Sequence, residues 1–462
     1  MHGAAEVTLR RVQVVEDASR AVEDGTIPCV LGRDLSFDGK ALGEFCRTDL
    51  TPRLDDLMVI AGGVRFADGV VRRPRPGWRR RIELVVPVRE RDFWRSAPVR
   101  DVLADALRLA TGDDWTLTFV PRRGRTEVHR QDGFAYPCEP TAVIPYSDGL
   151  DSFAAHLLAR AREPHRALVL VRVGRGRGPA SERRPGALGH ARHRMVRVPF
   201  TVTHAKTGPS RRREHGGRHR PFCFGVVAGI AAHLLGANRV IVPESGQGSL
   251  GPELVPHLSE AADLRAHPLL TRRLEDLLYS VCGKAIRFEH PHLWETKGEV
   301  LTALRGAGYG PEAWTDTRSC WRQARSVKPG GRLLHCGACS ACIFRRQSLA
   351  AAGVADGFED YIWYDLRAAS LDGAAPGSPP STGRDRKYTK AAVLGMRDLA
   401  RAGGEGDRSV PRAAHTLAGL QGLERAEAER RLRRLLAAHR AEWDAFVDAL
   451  GPASFVARWA TS

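Results

Sequence analysis

The stretch Thr141-Ala142-Val143-Ile144-Pro145-Tyr146-Ser147-Asp148-Gly149-Leu150-Asp151-Ser152-Phe153-Ala154-Ala155-His156-Leu157-Leu158-Ala159 (TAVIPYSDGLDSFAAHLLA) decides the fold. A short β-branched run passes through a tight polar turn into an apolar-rich helical segment. A turn between a buried strand and a helix N-terminus leaves backbone N–H groups free at the carboxyl edge of a sheet. The helix dipole adds partial positive charge there, so such a loop attracts anions. Gly149 is expected to supply a backbone conformation that other residues resist, and Asp148 tolerates a left-handed one better than most. The hydroxyls of Ser147 and Ser152 can donate to phosphate oxygens. Asp151 would repel an anion unless it holds Mg²⁺ or accepts bonds from the loop.

The same alternation continues around this stretch. Ala167–Val173 (ALVLVRV) reads as a nearly all-apolar strand of a buried parallel sheet. Arg194–Phe200 reads as a second strand, Phe222–Leu235 as a helix and Arg239–Pro243 as a third strand. Strands alternating with helices predict an α/β fold, a doubly wound and mostly parallel sheet, over residues 139–367. Residues 1–138 read as a separate α+β domain with strand-like runs at Leu57–Ala61, Arg81–Val88 and Trp115–Val120 and a helix at Pro98–Thr111. The Pro/Gly/Ser-rich segment Ser370–Gly383 predicts a linker over 368–386. A helical extension over 387–462 follows, with helices at Lys387–Ala402 and Gly422–Leu450. That extension could bind a partner, form a homodimer or simply cap the domain.

With 462 residues, 43% hydrophobic and 27% charged, the chain can build two or three cores. Met1–Arg10 lacks a basic segment followed by an apolar one, which predicts no signal peptide and a cytoplasmic protein. The longest apolar run, Phe222–Ala237, is interrupted by His233 and too short to span a bilayer comfortably, so no membrane partner is expected. The formal charge is +18, and Arg172–Arg220 alone carries +12 of it. Rich in Gly, Pro and Arg, Arg172–Gly189 and Thr207–Arg220 read as mobile loops. They are either solvated, or close over phosphates or an acidic partner. Few aromatics interleave with the basic residues, which disfavours a single-strand nucleic-acid binder.

Cys29, Cys46, Cys138, Cys223 and Cys282 stand alone and read as small core residues. Cys320, Cys336, Cys339 and Cys342 are clustered, three of them in the run CGACSAC. Four thiolates at this spacing suit tetrahedral Zn²⁺, and a closed four-sulfur site leaves no open position for catalysis.

YSDGLDS is not the GxxxxGK[ST] nucleotide loop, since it has no Lys and the wrong spacing. It resembles the SGGxDS loop of the PP-loop ATP pyrophosphatases, with Asp148 standing where Gly is usual. Combined with TRSC at Thr317–Cys320 and CGACSACIFRR from Cys336, it resembles the 7-cyano-7-deazaguanine synthase (QueC) family over residues 139–367. Thr296-Lys297-Gly298-Glu299 matches that family's Lys before a helix. Arg345 and the Gly353–Asp356 segment match its ending. The flanks, the basic insertion, Arg218–Phe222 and Pro243–Gly251 look like the QueC-like proteins of anti-phage operons, such as the Qat systems.

The resemblance implies an enzyme that adenylates the carboxylate of a deazaguanine substrate with ATP, Mg²⁺ and a structural Zn²⁺. The product would be a nitrile, an amide or a conjugate with a partner protein encoded alongside. Ser147, Asp148, Gly149, Leu150, Asp151 and Ser152 would hold the pyrophosphate of ATP and Mg²⁺. Lys297 or Arg220 would offset charge on the α-phosphoryl group, or remain surface cations. Glu244 and Gly246 would bind the substrate, Glu244 accepting hydrogen bonds from a guanine-type ring, or else binding Mg²⁺ or capping the following turn. Two other readings compete. One is tRNA thiolation, which usually needs a catalytic thiol near the ATP site; no Cys stands close to the loop on the motif side, and Cys223 is left open. The other is a zinc-stabilised nucleic-acid-binding module.

Overall fold

The computed structural model describes residues 9–461 apart from 21, 47, 75–76, 124–139, 148, 175–192, 256–260, 315–316, 322–333, 358–359, 376–379 and 405. The chain divides into two compact units, each assembled from separated segments. One comprises Met1–Tyr146, Glu163–Val242 and Pro256–Pro291, and the other Ser147–Arg162, Pro243–Val255 and His292–Ser462.

The first unit is α/β with two parallel sheets. One has the order β2 (Ile27–Val30), β1 (Leu9–Val15), β4 (Arg81–Val88), β5 (Asp114–Pro121). The other has the order β11 (Arg287–Glu289), β10 (Arg239–Ile241), β6 (Pro140–Pro145), β7 (Ala167–Val173), β8 (His193–Val198). A short antiparallel ribbon pairs β3 (Leu35–Phe37) with β9 (Phe200–Val202). In the five-stranded sheet Val143 faces Val169 on one side and Val240 on the other. The strand order therefore reverses between β6 and β10. Open α/β sheets collect ligands at such a switch point, beyond the carboxyl ends of its strands. The chain leaves β6 into the Ser147 loop and leaves β10 into Pro243–Gly246.

Two helices, Pro52–Val70 and Arg220–Leu234, pack against each other, the first also against β4 and the second against β6. Both are apolar on nearly every face, with Met58, Val59, Ile60, Val226, Val227 and Ile230 fully buried. This explains why Leu57–Ala61, expected as a strand, is helical. A helix buried all round has no amphipathic period, and its β-branched run then imitates a buried strand. Thr51 caps this helix by accepting from the Leu54 N–H, with Pro52 in the first turn. At Gly62 an added Cβ would stand 2.3 Å from Leu35 Cδ1, so the close approach requires glycine. The other expected elements of this region are present: Arg81–Val88, Ala97–Thr111, Asp114–Pro121 and Ala167–Val173.

Thr207–Arg220, expected to be mobile, is instead tied down. The N–H groups of Arg213 and Glu214 both donate to the Gly69 carbonyl, at 2.8 and 2.9 Å. Most of the other expected mobile loop, residues 175–189, lies outside the described residues, as does Cys138.

The first unit also buries a charge network. Arg80 donates to Asp68 at 2.5 Å and to Asp113 at 2.6 Å, Arg73 donates to Asp113 at 2.8 Å, and His219 Nδ1 lies 2.7 Å from Asp68. Burial alone would raise the Asp68 pKa. The hydrogen bond from His219 and the Arg80 charge outweigh it and hold the carboxyl well below its ordinary range. Removing one partner of such a set strands a buried charge, so Arg80→Met is expected to cost about 3–5 kcal/mol. Urea unfolding of the variant checks this, and a loss below about 1 kcal/mol would mean that water reaches the network.

The second unit is helical, with helices at Leu150–Arg162, Gly246–Leu254, Lys297–Gly306, Ser340–Ala351, Gly383–Arg401, Ser409–Gln421, Arg425–Leu450 and Phe455–Thr461. Gly422, expected inside a helix, ends one instead, with φ +63°. From the expected linker, Leu371, Ala374 and Ala375 enter the same core as Val393, Trp443 and Phe455. Among the described residues, no helix is long and apolar enough to cross a membrane.

Candidate active site and four-cysteine centre

The second unit contains the opening loop, the matching lysine and the clustered cysteines. The loop is held by its own serines. The Ser147 N–H donates to Ser152 Oγ (3.1 Å), and Ser152 Oγ in turn lies 2.8 Å from the Ser147 carbonyl. The Gly149 N–H donates to Ser147 Oγ at 3.1 Å. Ser152 is buried, so its hydroxyl shapes the loop from within. Gly149 does not have a left-handed φ, contrary to the conformational role expected for it. Its constraint is steric: a Cβ there would stand 3.0 Å from Ser147 Oγ and 3.4 Å from the Arg318 carbonyl. Asp148 lies outside the described residues. Leu150 opens the helix that follows and is buried.

Lys297 Nζ lies 2.8 Å from Oδ1 and 2.9 Å from Oδ2 of Asp151, in the first turn of the Leu150 helix. The lysine side chain is 7% exposed and the aspartate 25%. Nζ also sits 4.0 Å from the centre of the Phe344 ring. Lys297 opens its own helix behind a capping box. The Thr296 hydroxyl accepts from the Glu299 N–H, and the Glu299 carboxylate accepts from the Thr296 N–H. This pattern, T-K-G-E, is legible in the sequence.

A second layer was not. The Lys297 N–H donates to Gln247 Oε1 at 2.7 Å, and Gln247 Nε2 donates to His439 Nδ1 at 2.9 Å. His439 Nε2 lies 3.0 Å from the Met396 carbonyl, which makes Nε2 the protonated nitrogen, and burial keeps the ring neutral. The Thr296 hydroxyl donates to the Glu442 carboxylate. Burial, with Glu299 adding like charge, pushes Glu442 up to about 7, against the hydrogen bonds from Thr296 and Gln247. At Gly298 a Cβ would stand 2.5 Å from Glu442 Oε1 and 2.7 Å from Ala351 Cβ. Nothing in the Arg/Glu-rich run around His439 and Glu442 marks these two as buried.

Gly246 donates its N–H to the Glu295 carbonyl at 2.9 Å, and a Cβ there would stand 2.3 Å from the Leu293 carbonyl. The Glu244 carboxyl lies against the first turn of the same helix, 2.2 Å from where a Cβ on Gly248 would be. Beside it the hydroxyls of Ser245 and Ser249 are buried without a hydrogen-bond partner among the described residues. Arg220 belongs to the first unit, where its guanidinium stands 5.3 Å from the Phe224 ring. Cys223 is buried there and donates to the Ala61 carbonyl at 3.2 Å, with its pKa pushed up to about 12 by burial.

The four clustered cysteines are buried, and their sulfurs all lie within 4.8 Å of one another. Cys339 and Cys342 sulfurs are 3.5 Å apart, and Cys336 and Cys342 sulfurs 3.8 Å. Tetrahedral Zn²⁺ with Zn–S bonds of about 2.3 Å needs sulfurs about 3.8 Å apart, so the set fits the ion. The Cys336 and Cys339 N–H groups donate to the sulfurs of Cys320 and Cys336, both at 3.3 Å, as second-layer bonds to thiolates do. Gly337 turns the chain at φ +85°, where a Cβ would meet the Trp363 carbonyl at 2.3 Å. Asp356 pairs with Arg346 at 2.6 Å, while Arg345 donates to Thr317 Oγ1 at 2.7 Å.

The chain is 28% identical over 235 residues to 7-cyano-7-deazaguanine synthase of Thiobacillus denitrificans (strain ATCC 25259 / T1), covering 47% of this chain and 97% of that protein. No family model matches the chain.

Two tests follow from this geometry. The carboxyl of Glu442 has a native pKa above its unfolded value. Its stabilisation is therefore present below the ordinary range near 4.5 and is lost as pH rises through about 7. Glu442→Gln is expected to match the wild type at pH 5 and to melt higher at pH 8. Parallel melting curves across that range would refute a raised pKa. For the cysteines, elemental analysis should find one zinc per chain, and Cys339→Ser should lose it together with the cooperative unfolding of the second unit. Full metal content in that variant would remove Cys339 from the ligand set.

Proposed function

We propose that the chain is an ATP-consuming enzyme of the 7-cyano-7-deazaguanine synthase type, which activates the carboxylate of a 7-deazaguanine substrate by adenylation. The observation that carries this reading is the ion pair between Asp151 and Lys297, 146 residues apart in sequence, beside the Ser147–Ser152 loop. The similarity to a 7-cyano-7-deazaguanine synthase along nearly that protein's whole length supports it.

In this reading a carboxylate oxygen of the substrate attacks the α-phosphorus of ATP, and the bond to pyrophosphate breaks. An amine then attacks the acyl carbon and AMP leaves. Ammonia as the amine gives an amide, and a second ATP that activates the amide oxygen as a leaving group takes it on to a nitrile. In the Qat-like defence setting the amine belongs to a partner protein. Positioning and charge stabilisation dominate such chemistry. Ser147, Gly149 and Ser152 shape the phosphate loop, with Asp148 and Leu150 completing it. Asp151 is the carboxylate for Mg²⁺, which would neutralise phosphate charge when bound. Lys297 is the cation assigned to the α-phosphoryl group, with Arg220 the alternative. Glu244 and Gly246 are assigned to the deazaguanine ring. Transfer of sulfur through Cys223 is disfavoured, because a buried thiol with a raised pKa yields little thiolate.

The test is pyrophosphate release from ATP and Mg²⁺ with 7-carboxy-7-deazaguanine. Release is expected in the wild type, reduced about 100-fold or more in Asp151→Asn and Lys297→Met. Substrate-independent release, or full activity in both variants, would sink the reading.

A further inference from the structure

The first unit holds a cationic cavity that the proposed adenylation chemistry does not use. Its volume is about 550 Å³, and its charged wall consists of Arg65, Lys206, Arg211 and Arg212, with His204 and the β9 backbone behind them. Among the described residues no carboxylate lines it. Among the described residues, none of these four cations forms an ion pair with a carboxylate. An adjoining cavity of about 390 Å³ does include Asp34, but that carboxylate is taken by the Arg33 guanidinium and by the Val30 N–H at 2.9 Å.

The wall is built rather than merely exposed. β9 is fixed to β3 in register, Leu35 against Val202. The Thr203 N–H donates to the Asp34 carbonyl at 2.8 Å, and the Ala205 N–H to the Ser210 carbonyl at 3.1 Å. Ser210 Oγ reaches the Pro28 carbonyl at 3.2 Å, and Gly208 makes the turn at φ +74°. The His204 ring stacks on Phe66 with centroids 5.3 Å apart, over Gly69, where a Cβ would stand 2.3 Å from Nε2. These ties hold Lys206, Arg211 and Arg212 on one rim.

Arg65 faces them from the Pro52–Val70 helix. It donates to the Phe200 carbonyl at 3.0 Å, a neutral acceptor that leaves its charge uncompensated. Burial, opposed by Cys223 and joined by the Arg212 charge, pushes its pKa below the ordinary value. Like charges gathered around a half-buried guanidinium are costly unless an anion joins them. Guanidinium forks match phosphate oxygens two at a time, which favours phosphate over a single carboxylate. Among the described lining residues the Phe200 ring is buried and one face of the His204 ring is taken by Phe66, which leaves little surface for base stacking.

We propose that this cavity binds phosphate-ester anions through Arg65, Lys206, Arg211 and Arg212. The phosphates come from a nucleotide or from a nucleic-acid backbone, read without base recognition.

The experiment uses the full chain and a fluorescein-labelled single-stranded oligothymidylate, followed by anisotropy at low salt, with ATP as competitor. Arg211→Glu/Arg212→Glu is compared with Lys387→Glu/Lys390→Glu, which makes the same charge change on exposed positions of the Gly383–Arg401 helix. Melting temperatures verify that both fold. The first double variant should weaken oligonucleotide binding at least about tenfold and the second less than about twofold. Displacement by ATP assigns the cavity to nucleotides, and retention of the oligonucleotide assigns it to a polymer backbone. Equal losses in both double variants would reduce the effect to overall charge and overturn the proposal. So would the absence of binding at low salt, or an oligoglutamate that competes as well as the oligonucleotide does.

Discussion

The contact between Lys297 and Asp151 is the constraint around which the second unit is organised. A lysine side chain only 7% exposed needs a counter-charge, and Asp151 supplies both oxygens to it. The rest of its surroundings fixes where that ammonium stands. Phe344 offers a ring face, Gln247 takes the Lys297 N–H, and the Thr296–Glu299 capping box sets the helix from which the side chain projects. Three distant parts of the chain thus meet at one positive charge. The site's precision comes from the backbone of a helix start, which is among the stiffest mounts a side chain can have.

The cysteine centre and the C-terminal helices share one core. Cys320, Cys336, Cys339 and Cys342 cluster with Trp363, Val393, Trp443 and Phe455. The Arg425–Leu450 helix therefore has two tasks. Trp443 and Phe446 pack toward the cysteines, while His439 and Glu442, on the same helix, support the residues around Lys297. The four-cysteine cluster and the residues around Lys297 are thus joined through this single helix by packed and hydrogen-bonded groups.

Much of this was legible in the sequence, and the reasons are local. Strands β4, β5 and β7 and the Ala97–Thr111 helix carry strong period signals or sit between clear turn residues. The T-K-G-E cap and the CGACSAC run are compact, so each announces its structure within a few residues. What escaped was either buried all round or distant in sequence. The Leu57–Ala61 run misled because full burial erases helical periodicity. Gln247, His439 and Glu442 escaped because nothing near them distinguishes a buried polar network from a solvated helix face. The linker reading of Ser370–Gly383 missed Leu371 and Ala374, whose burial depends on helices that come later in the chain.

Unit boundaries that cross the chain five times impose an order on synthesis. Ser147–Arg162 and Pro243–Val255 leave the ribosome long before His292–Ser462, the segment that completes their unit. Until then the Leu150 helix has an aspartate without its lysine, and Gln247 has no histidine to meet. The surroundings of the Ser147–Ser152 loop are therefore assembled last, by closure of contacts far apart in sequence, the slow kind in folding. A nascent chain cut short in the Arg425–Leu450 helix would hold the loop and Lys297 without the Glu442 support beneath them.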